Sequence, residues 1–492
     1  MSKVTLANYA QAEAFLNGFL NWEKWLGVRH IAYDTKSVDL GRFAHVLELC
    51  GSPQLHFSSY HVAGTKGKGS TSAFIESILR AHGLRTGLYT SPHLESYCER
   101  IATDGHPITE AMFCKLLEEL SQFMAAPDAE EQPASLRTVF EYLTAAAMMA
   151  FSNSGCNAAV VETGLGGRLD CTNVFTEPPR HEDDFHVAII TPIGLDHQSV
   201  LGDTIVAIAA EKAGILQPHG FAVMAAQPRP YAAEVENTIV ATARQRGAEA
   251  PTPSAKLVEV AAVNHTKPSD ATQPRTMAVR LIAGPDLDPQ ASPLSRALSA
   301  AGGMTLTSPL LGTHQATNVQ TALAALLCAE TLPGGGELSP DAVMQGVASV
   351  NWPGRFEQVG KEPPVIIDGA HCPLSAAALT ETMAAVFPGR SVVLVAAFMR
   401  DKQIDAIVER LVHGLPLCAV VTTGMNFPRA SEPQAIAEAF QRAGVPAQII
   451  HTASDPTEAM RYAMKAAQGD DIILATGSLF LVAPVRNALA RK

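Results

Sequence analysis

Short apolar runs alternate with amphipathic segments along the chain from about residue 58 onward. Residues 71–82 carry apolar side chains at the spacing of one helix face. The apolar runs at 157–162, 185–191 and 221–225 have the length and composition of buried strands. Strands that alternate with helices in this way predict a mostly parallel sheet with helices on both faces.

A second strand–helix series begins after the Trp-Pro-Gly-Arg segment at 352–355. Each of its apolar runs is followed by a helical pattern, which predicts a compact doubly wound domain. The predicted strands of this series are residues 365–367, 392–397, 419–422, 448–450 and 472–474.

Residues 227–308 differ from both series, because proline, serine and threonine punctuate them. We predict loops and short antiparallel strands here, decorating the first domain. A helix is predicted at 318–330, and a shorter helix is predicted to end near residue 349. The chain is therefore predicted to divide into one domain at 1–350 and a second at 351–492.

Composition restricts the classes of function. The 492-residue length and 47% hydrophobic content predict a globular protein of two or three domains. A formal net charge of −12 argues against nucleic acid or an anionic membrane as the partner. The eight cysteines are scattered without a CxxC pair, as is typical of reduced thiols in the cytoplasm. Because no secretory or membrane-spanning apolar segment is found, we expect a cytoplasmic protein, and we expect it to act as a monomer.

The first apolar run leads into a glycine-rich turn, HVAGTKGKGST at residues 61–71. Glycines let backbone N–H groups approach phosphate oxygens, and the N-terminus of the following helix favours negative charge. Lys68 would lie on the outer phosphates, and the hydroxyl of Ser70 or Thr65 would reach a phosphate or magnesium. Gly69 separates Lys68 from Ser70, which departs from the common phosphate loop and indicates a narrower group. The predicted fold class is α/β, with an N-terminal P-loop NTPase-like domain and a C-terminal Rossmann-like domain.

Polar side chains follow three other predicted strands. Glu162 ends one apolar strand, and Asp170 lies in the glycine-rich loop after it. Ser91 and His197 follow two further strands, so all four are expected at the ligand-binding edge of the sheet. Magnesium prefers oxygen ligands and retains waters, so Ser91, Glu162 and bound phosphates would form a suitable shell. His197 is either a hydrogen-bonded structural histidine or a partner at the same metal site.

Other charged residues have competing interpretations. Lys212 fits a solvated lysine on a helix. Arg355 is either a surface arginine at a domain boundary or a group that reaches phosphates across a cleft. Asp368 and His371 belong to the segment DGAH, which closes the first strand of the C-terminal domain.

Taken together, these segments resemble the Mur ligase superfamily and, within it, the folylpolyglutamate synthase/dihydrofolate synthase family. The matches fall in order over residues 61–478, and the ordered set is specific although each motif alone is weak. The matching segments are HVAGTKGKGST (61–71), TSPHLESYCERI (90–101), VVETGLGGRLDCTN (160–173), LDH (195–197), EKAGI (211–215), HQATN (314–318), WPGRF (352–356), DGAH (368–371) and TGS (476–478).

The resemblance implies an ATP-dependent amide ligase. ATP would phosphorylate a carboxylate of the acceptor, and the amine of L-glutamate would attack the resulting acyl phosphate. The implied acceptor is a reduced folate or 7,8-dihydropteroate, and the implied cofactors are ATP and two Mg²⁺ ions. The residues implied in catalysis are Lys68, Glu162, His197 and Lys212. Those implied in ATP binding are Gly64, Thr65, Lys66, Gly67, Lys68, Gly69, Ser70, Asn318, Arg355, Asp368 and His371.

The resemblance also implies metal and pterin contacts. The implied metal ligands are Ser91, Glu162, His197 and Lys212, the last as a carbamate that would turn a cation into an oxygen ligand. Phe140 and Asp170 match positions that line the pteroate site of bacterial bifunctional enzymes. A core aromatic is the alternative interpretation of Phe140.

Three positions depart from the common family pattern. Lys66 stands where asparagine is commoner, and Cys372 replaces the frequent asparagine after DGAH. Cys171 stands where an alanine is usual beside the pterin. These departures bear on the nucleotide contact and on pterin preference, and they leave the reaction class unchanged.

Two other functions stay open at this point. A murein ligase acting on a UDP-muramyl acceptor would share the reaction, but only about 57 residues precede the phosphate-loop strand. A nucleotide-regulated binding module without turnover is the other alternative. The presence of Lys68, Glu162 and His197 argues against it.

Overall fold

The N-terminal domain is built on an eight-stranded sheet. The computed structural model describes residues 4–25, 39–124, 134–266 and 275–490. The strands of this sheet are β1 Ser58–Ala63, β2 Thr86–Tyr89, β3 Ile101–Thr103, β4 His106–Pro107, β5 Ala158–Glu162, β6 His186–Ile190, β7 Phe221–Met224 and β8 Thr252–Pro253. Their order is β4-β3-β2-β5-β1-β6-β7-β8.

The centre of this sheet is parallel and buried. β1 pairs in parallel with β5 on one side and with β6 on the other, and every residue of the three strands is buried. Burial on both faces explains why these strands are almost continuously apolar in the sequence. Antiparallel pairing is confined to β3 and β4 at one edge. The predicted mostly parallel sheet is therefore confirmed.

Helices cover the sheets of both domains. The described helices are α1 Tyr9–Asn17, α2 Trp22–Trp25, α3 Leu40–Leu49, α4 Lys68–Ala81, α5 Glu110–Leu120, α6 Val139–Asn153, α7 Gln198–Leu201, α8 Ile205–Ala213, α9 Ala232–Gln245, α10 Ser254–Leu257, α11 Pro293–Ser299, α12 Thr313–Leu327, α13 Pro340–Ser349, α14 Pro373–Val386, α15 Ile404–Gly414, α16 Pro433–Arg442, α17 Pro456–Ala466 and α18 Val482–Ala490. Within the described chain, no helix combines the length and apolarity needed to cross a bilayer.

The decorated segment is more regular than the sequence predicts. It contains β9 Val258–Thr266, β10 Thr276–Ala283 and β11 Met304–Ser308, which form an antiparallel sheet in the order β11-β10-β9. Antiparallel pairing is confirmed, but the prediction of loops and short strands was wrong for the fourteen-residue α9 and for β9 and β10. Val235, Ile239 and Ala243 bury one stripe of α9, and this packing outweighs the nearby proline signals.

The C-terminal domain carries a six-stranded sheet. Its strands are β12 Glu357–Lys361, β13 Pro364–Ile367, β14 Val392–Ala396, β15 Leu417–Thr423, β16 Ile450–Ala453 and β17 Ile472–Thr476. Their order is β12-β13-β17-β14-β15-β16, and all pairs except β12–β13 are parallel. The predicted doubly wound domain is confirmed, although the edge strand β12 was missed.

Two predicted boundaries were wrong. The helix predicted at 318–330 begins five residues earlier, because α12 starts at Thr313. The strand predicted at 448–450 starts at Ile450, after a short 3₁₀ turn. Helix α12 packs against both α4 and α14. It therefore connects the helix that follows the glycine-rich turn to the C-terminal domain.

Candidate active site

The parallel strands of the two domains point their carboxyl ends into one cleft. Val62 pairs with Glu162 across β1 and β5, so the loops after these strands start side by side. They face the loops that follow β13, β14 and β17, across a cavity of about 500 Å³. The carboxyl edge of a parallel sheet is where such folds bind ligands, and here two of these edges share one cleft.

The glycine-rich turn between β1 and α4 is anchored to the neighbouring strand end. The backbone N–H groups of Thr65 and Lys66 donate to the carbonyl of Pro192 at 3.0 and 3.1 Å. Because α4 begins at Lys68, the amides of its first turn have no acceptor within the helix and suit phosphate oxygens. A Cβ atom at Gly69 would lie 2.6 Å from the Trp352 ring, so packing requires glycine there.

Lys68, Glu162 and Ser91 lie together at the carboxyl edge of the sheet. Lys68 Nζ lies 3.7 Å from Glu162 Oε1, and the backbone N–H of Ser91 donates to Glu162 Oε2 at 3.3 Å. Burial raises the pKa of Glu162, while the adjacent Lys68 acts in the opposite direction. A buried carboxylate with one cation and one amide as partners keeps lone pairs for a further ligand.

Lys212 is buried, so its interpretation as a solvated helical lysine was wrong. Only 4% of the residue is exposed, and Nζ donates to the carbonyl of Gly64 at 2.8 Å. Burial, together with the positive charge of Lys68, lowers the pKa of Lys212 to about 7. The amine is therefore largely uncharged just above neutral pH, which is the form that reacts with carbon dioxide.

His197 has the character of an available nitrogen ligand. Its backbone adopts the left-handed conformation with φ of 53°, and its Nδ1 is buried without a hydrogen-bond partner. Burial lowers the pKa of His197 to about 3, so the imidazole is neutral. Among the described residues, no group of three or more His, Cys, Asp or Glu side chains is arranged to hold a metal ion. Magnesium commonly takes phosphate and water oxygens beside one or two protein ligands. The few donor groups of this site, from Ser91, Glu162 and His197, fit that kind of coordination.

The C-terminal domain contributes the predicted Arg355, Asp368 and His371 to the cavity. Asp368 accepts the N–H groups of Phe356 and Ala370 at 2.9 and 2.8 Å, so it organises the loops on both sides of it. Burial lowers the pKa of Arg355, while the charges of Asp368 and Glu162 act in the opposite direction. Arg355 is thus a cleft residue, and its interpretation as a surface arginine was wrong.

Asn318 lies beneath the phosphate loop. Its Nδ2 donates to Gln315 Oε1 at 2.8 Å, and a Cβ atom at Gly67 would meet its amide oxygen. Gly67 also has a φ of 88°, which favours glycine. Asn318 therefore supports the shape of the loop from below while lining the cavity.

The two predicted pterin residues do not line the main cavity. Phe140 packs over Gly164 and against the ring of Tyr89, with centroids 5.8 Å apart. Asp170 is buried and accepts from the backbone N–H groups of Leu165 and Thr172 at 2.8 and 3.0 Å. In this structure both residues shape the glycine-rich loop after β5.

Sequence reasoning missed a set of charged residues in the cleft. Asp196 pairs with Lys66 at 3.3 Å and with Lys402 at 2.9 Å. Burial alone would raise the pKa of Asp196, but the neighbouring Lys66 holds it well below its ordinary value. Glu23 and Arg429 also line the cavity. Asp196 was detectable as part of the LDH segment, whereas Lys402 carries no local signal because its partner lies in the other domain.

Comparison with known proteins agrees with this architecture. Residues 62–326 match the Mur ligase middle domain, and residues 354–479 match the family described as Mur ligase, glutamate ligase domain. The dihydrofolate synthase/folylpolyglutamate synthase of Mycobacterium tuberculosis is 35% identical over 408 residues, covering 81% of this chain and 76% of its own.

Solved structures show the same similarity over the whole fold. The folylpolyglutamate synthase of Mycobacterium tuberculosis in complex with ADP and AMPPCP aligns with a TM-score of 0.78 and 31% identity, covering 98% of each chain. A bifunctional folylpolyglutamate synthase/dihydrofolate synthase with Mn, AMPPNP and L-glutamate bound aligns with a TM-score of 0.71 and 28% identity, covering 99% of this chain and 100% of that one.

Fold, cleft and matches together define a ligase of the Mur superfamily. Within that superfamily, the chain belongs to the folylpolyglutamate synthase/dihydrofolate synthase family. The relatives therefore favour this family over a murein ligase that acts on a UDP-muramyl acceptor.

Proposed function

We propose that this protein uses ATP to join L-glutamate to a reduced folate and also to 7,8-dihydropteroate. The observation that carries the proposal is Lys68 Nζ, which lies 3.7 Å from the buried carboxylate of Glu162 at the start of the phosphate-loop helix. This pair puts a positive charge at the site for the outer phosphates, beside a group that suits a divalent ion. The L-glutamate bound to the aligned bifunctional enzyme supports the choice of amino acid.

The reaction would proceed in two balanced steps. The terminal phosphoryl group of ATP passes to the acceptor carboxylate, which gives an acyl phosphate and ADP. The amine nitrogen of glutamate then attacks the acyl carbon, inorganic phosphate leaves and the nitrogen loses a proton. Lys68 and the amides of the α4 first turn stabilise charge on the transferred group, and Arg355 approaches from the opposite domain.

Metal binding in this proposal involves the residues whose donor atoms fit it. Ser91 and Glu162 would hold one magnesium ion, and Glu162 with His197 a second. A magnesium ion held by these residues would neutralise part of the negative charge on the transferring phosphoryl group. The Mn and AMPPNP in the aligned bifunctional enzyme support a divalent ion beside the nucleotide.

Lys212 is proposed to carry a carbamate. Its uncharged amine would attack carbon dioxide and release one proton, which places two new oxygens at a buried position. Activity should fall when bicarbonate and carbon dioxide are depleted and should recover when they return. Unchanged activity after thorough depletion would contradict the carbamate.

Several finer assignments belong to the same proposal. Asn318 would contact the adenine, and His371 and Asp368 would act near the phosphates. Phe140 and Asp170 would form one side of the pterin site, next to the loop after β5. All eight cysteines are free thiols, which supports a cytoplasmic enzyme, and we propose that it acts as a monomer.

The test is ADP release by the purified chain with Mg²⁺ and L-glutamate, comparing 7,8-dihydropteroate with tetrahydrofolate as acceptor. We expect turnover with both, and a product heavier by one glutamyl residue. Turnover with tetrahydrofolate alone would restrict the protein to polyglutamate synthesis. Silence with both acceptors would contradict the proposal, and turnover with a UDP-muramyl acceptor would replace it.

A matched pair of lysine variants controls this assay. Lys68→Met removes the cation at the phosphate loop and should abolish turnover. Lys256→Met removes a half-exposed lysine whose partner is Asp286 at 3.7 Å, far from the cleft chemistry, and should leave turnover intact. Equal turnover by the two variants would show that the measured ADP does not come from this site.

A further inference from the structure

In this structure the ammonium of Lys66 is held by two protein side chains. This ammonium lies between two domains, 3.3 Å from Asp196 Oδ2 and 3.1 Å from His371 Nε2. Asp196 belongs to the N-terminal domain, while His371 follows the first parallel strand of the C-terminal domain. One side chain of the phosphate loop therefore connects both walls of the cleft.

The hydrogen-bond pattern of His371 fixes the direction of this contact. His371 Nδ1 lies 2.7 Å from the carbonyl of Gly369, which can only accept, so Nδ1 carries the proton. The Nε2 atom then has a free lone pair and accepts from Lys66 Nζ. In this hydrogen bond Lys66 of the N-terminal domain is the donor and His371 of the C-terminal domain is the acceptor.

A second bond closes the connection from the opposite side. Lys402 of the C-terminal domain donates to Asp196 Oδ1 at 2.9 Å, so Asp196 holds one lysine from each domain. The side chains of Lys66, Asp196 and Lys402 are 18%, 11% and 11% exposed. At this degree of burial the ion pairs are weakly screened, unlike pairs on the open surface.

The sequence departures noted at residues 66 and 372 lie at this same point. Cys372 directly follows His371, the residue whose Nε2 lies 3.1 Å from the Lys66 ammonium. An asparagine at position 66 would be too short to reach Asp196 and His371 from the same backbone position. The two unusual residues thus lie at the same contact between the domains, where Lys66 meets His371.

We propose that Lys66 is a positioning residue that holds the C-terminal domain against the phosphate loop through His371 and Asp196, instead of a ligand of ATP phosphate. Lys66, Asp196, His371 and Lys402 form this interdomain clamp. It keeps the loop at 368–372 beside the phosphate loop before nucleotide arrives. Only the kinetic consequence below rests on the proposed function.

The decisive experiment is hydrogen–deuterium exchange of the ligand-free full chain. We compare wild type with Lys66→Asn, which installs the commoner family residue, and with Lys66→Arg, which retains the charge. Exchange at residues 368–372 should rise about tenfold or more in Lys66→Asn, because this loop loses a partially buried bond to the other domain. Lys66→Arg should retain most of the protection, and Lys256→Asn should match wild type.

Unchanged exchange at 368–372 in Lys66→Asn would overturn the proposal, whatever happens to nucleotide binding. If Lys66→Asn unfolds, Lys402→Met tests the clamp from the C-terminal domain instead. This variant should raise hydrogen–deuterium exchange at residues 194–197. Unchanged exchange there would equally overturn the clamp. Because these measurements need no turnover, a chain inactive with folates would defeat the proposed function and leave this test valid.

Kinetics separate the clamp from a phosphate contact. For a positioning residue, Lys66→Asn should lower kcat about tenfold while the Kd of AMPPNP changes less than about threefold. A phosphate ligand predicts the reverse, with AMPPNP binding weakened tenfold or more and exchange unchanged. That second pattern would return Lys66 to the nucleotide site.

Discussion

Two carboxylates, Glu162 and Asp368, stand on opposite walls of the cleft and differ in what holds them. Glu162 ends the buried strand β5 and Asp368 directly follows β13, and burial raises the pKa of both. Glu162 meets one backbone amide and the ammonium of Lys68. Asp368 has each of its oxygens bonded to a backbone N–H, from Phe356 and from Ala370. A position at the end of a strand thus brings a carboxylate to the cleft. Its hydrogen-bond partners then determine whether it can bind a ligand or instead holds the neighbouring loops in place.

The largest expected effect comes from removing the charge of Glu162. Glu162→Gln keeps the shape and one amide acceptor but leaves Lys68 without its anion and any divalent ion without a carboxylate. We expect kcat to fall about 10³-fold, the scale of losing one electrostatic element of a phosphoryl-transfer site. Urea unfolding should change little. A kcat within tenfold of wild type would place Glu162 among the structural carboxylates.

The matched change on the opposite wall should act mainly on structure. Asp368→Asn exchanges one accepting oxygen for an N–H donor that faces another N–H, so one buried amide loses its acceptor. We expect a loss of about 1–3 kcal/mol in the free energy of unfolding, together with a KM for ATP raised about tenfold as Arg355 is displaced. Urea titration and steady-state kinetics measure both. A large kcat loss with unchanged stability would instead make Asp368 a reacting group.

Which parts of the site could be predicted from the sequence depends on whether local or distant contacts position them. Glu162, Lys68 and the glycine turn were predictable, because a buried strand followed by a loop sets their position locally. The pairing of Asp196 with Lys402 was not, since 206 residues separate them and only the docking of two domains brings them together. Lys212 was misjudged on composition alone, because its burial depends on how helix α8 packs beside the phosphate loop, where its Nζ donates to the carbonyl of Gly64.

The regular elements follow the same division. The buried strands β5 and β6 were predicted within one residue of their ends, because their apolar runs are continuous. Helix α9 was missed because proline and serine nearby suggested loops, while its buried stripe becomes informative only against its neighbours. Local composition therefore predicted the strand cores well and the decorated segment poorly.

The smallest expected effect is a difference in acid stability between the sheets of the N-terminal and C-terminal domains. His61 and His186 are buried within β1 and β6, whereas the one histidine on the described strands of the C-terminal sheet, His451 of β16, is only partly buried. Burial lowers the pKa of His186 to about 3, against about 6.5 in an unfolded chain. Between these values the unfolded state binds the extra proton, so stability is complete above about pH 6.5 and falls as pH decreases.

Each such histidine should cost about 1.4 kcal/mol of unfolding free energy per pH unit below 6.5. Acid should therefore weaken β1 and β6 before β14 and β17, which hydrogen–deuterium exchange at pH 7.0 and 5.5 would resolve by peptide. Replacing His186 with glutamine should reduce the pH slope by about one proton while leaving the C-terminal sheet unchanged. Equal slopes in the variant and wild type, or earlier opening of the C-terminal sheet, would mean that the acid-sensitive groups lie elsewhere. The N-terminal sheet, which carries Glu162, would then not be the more acid-sensitive of the two.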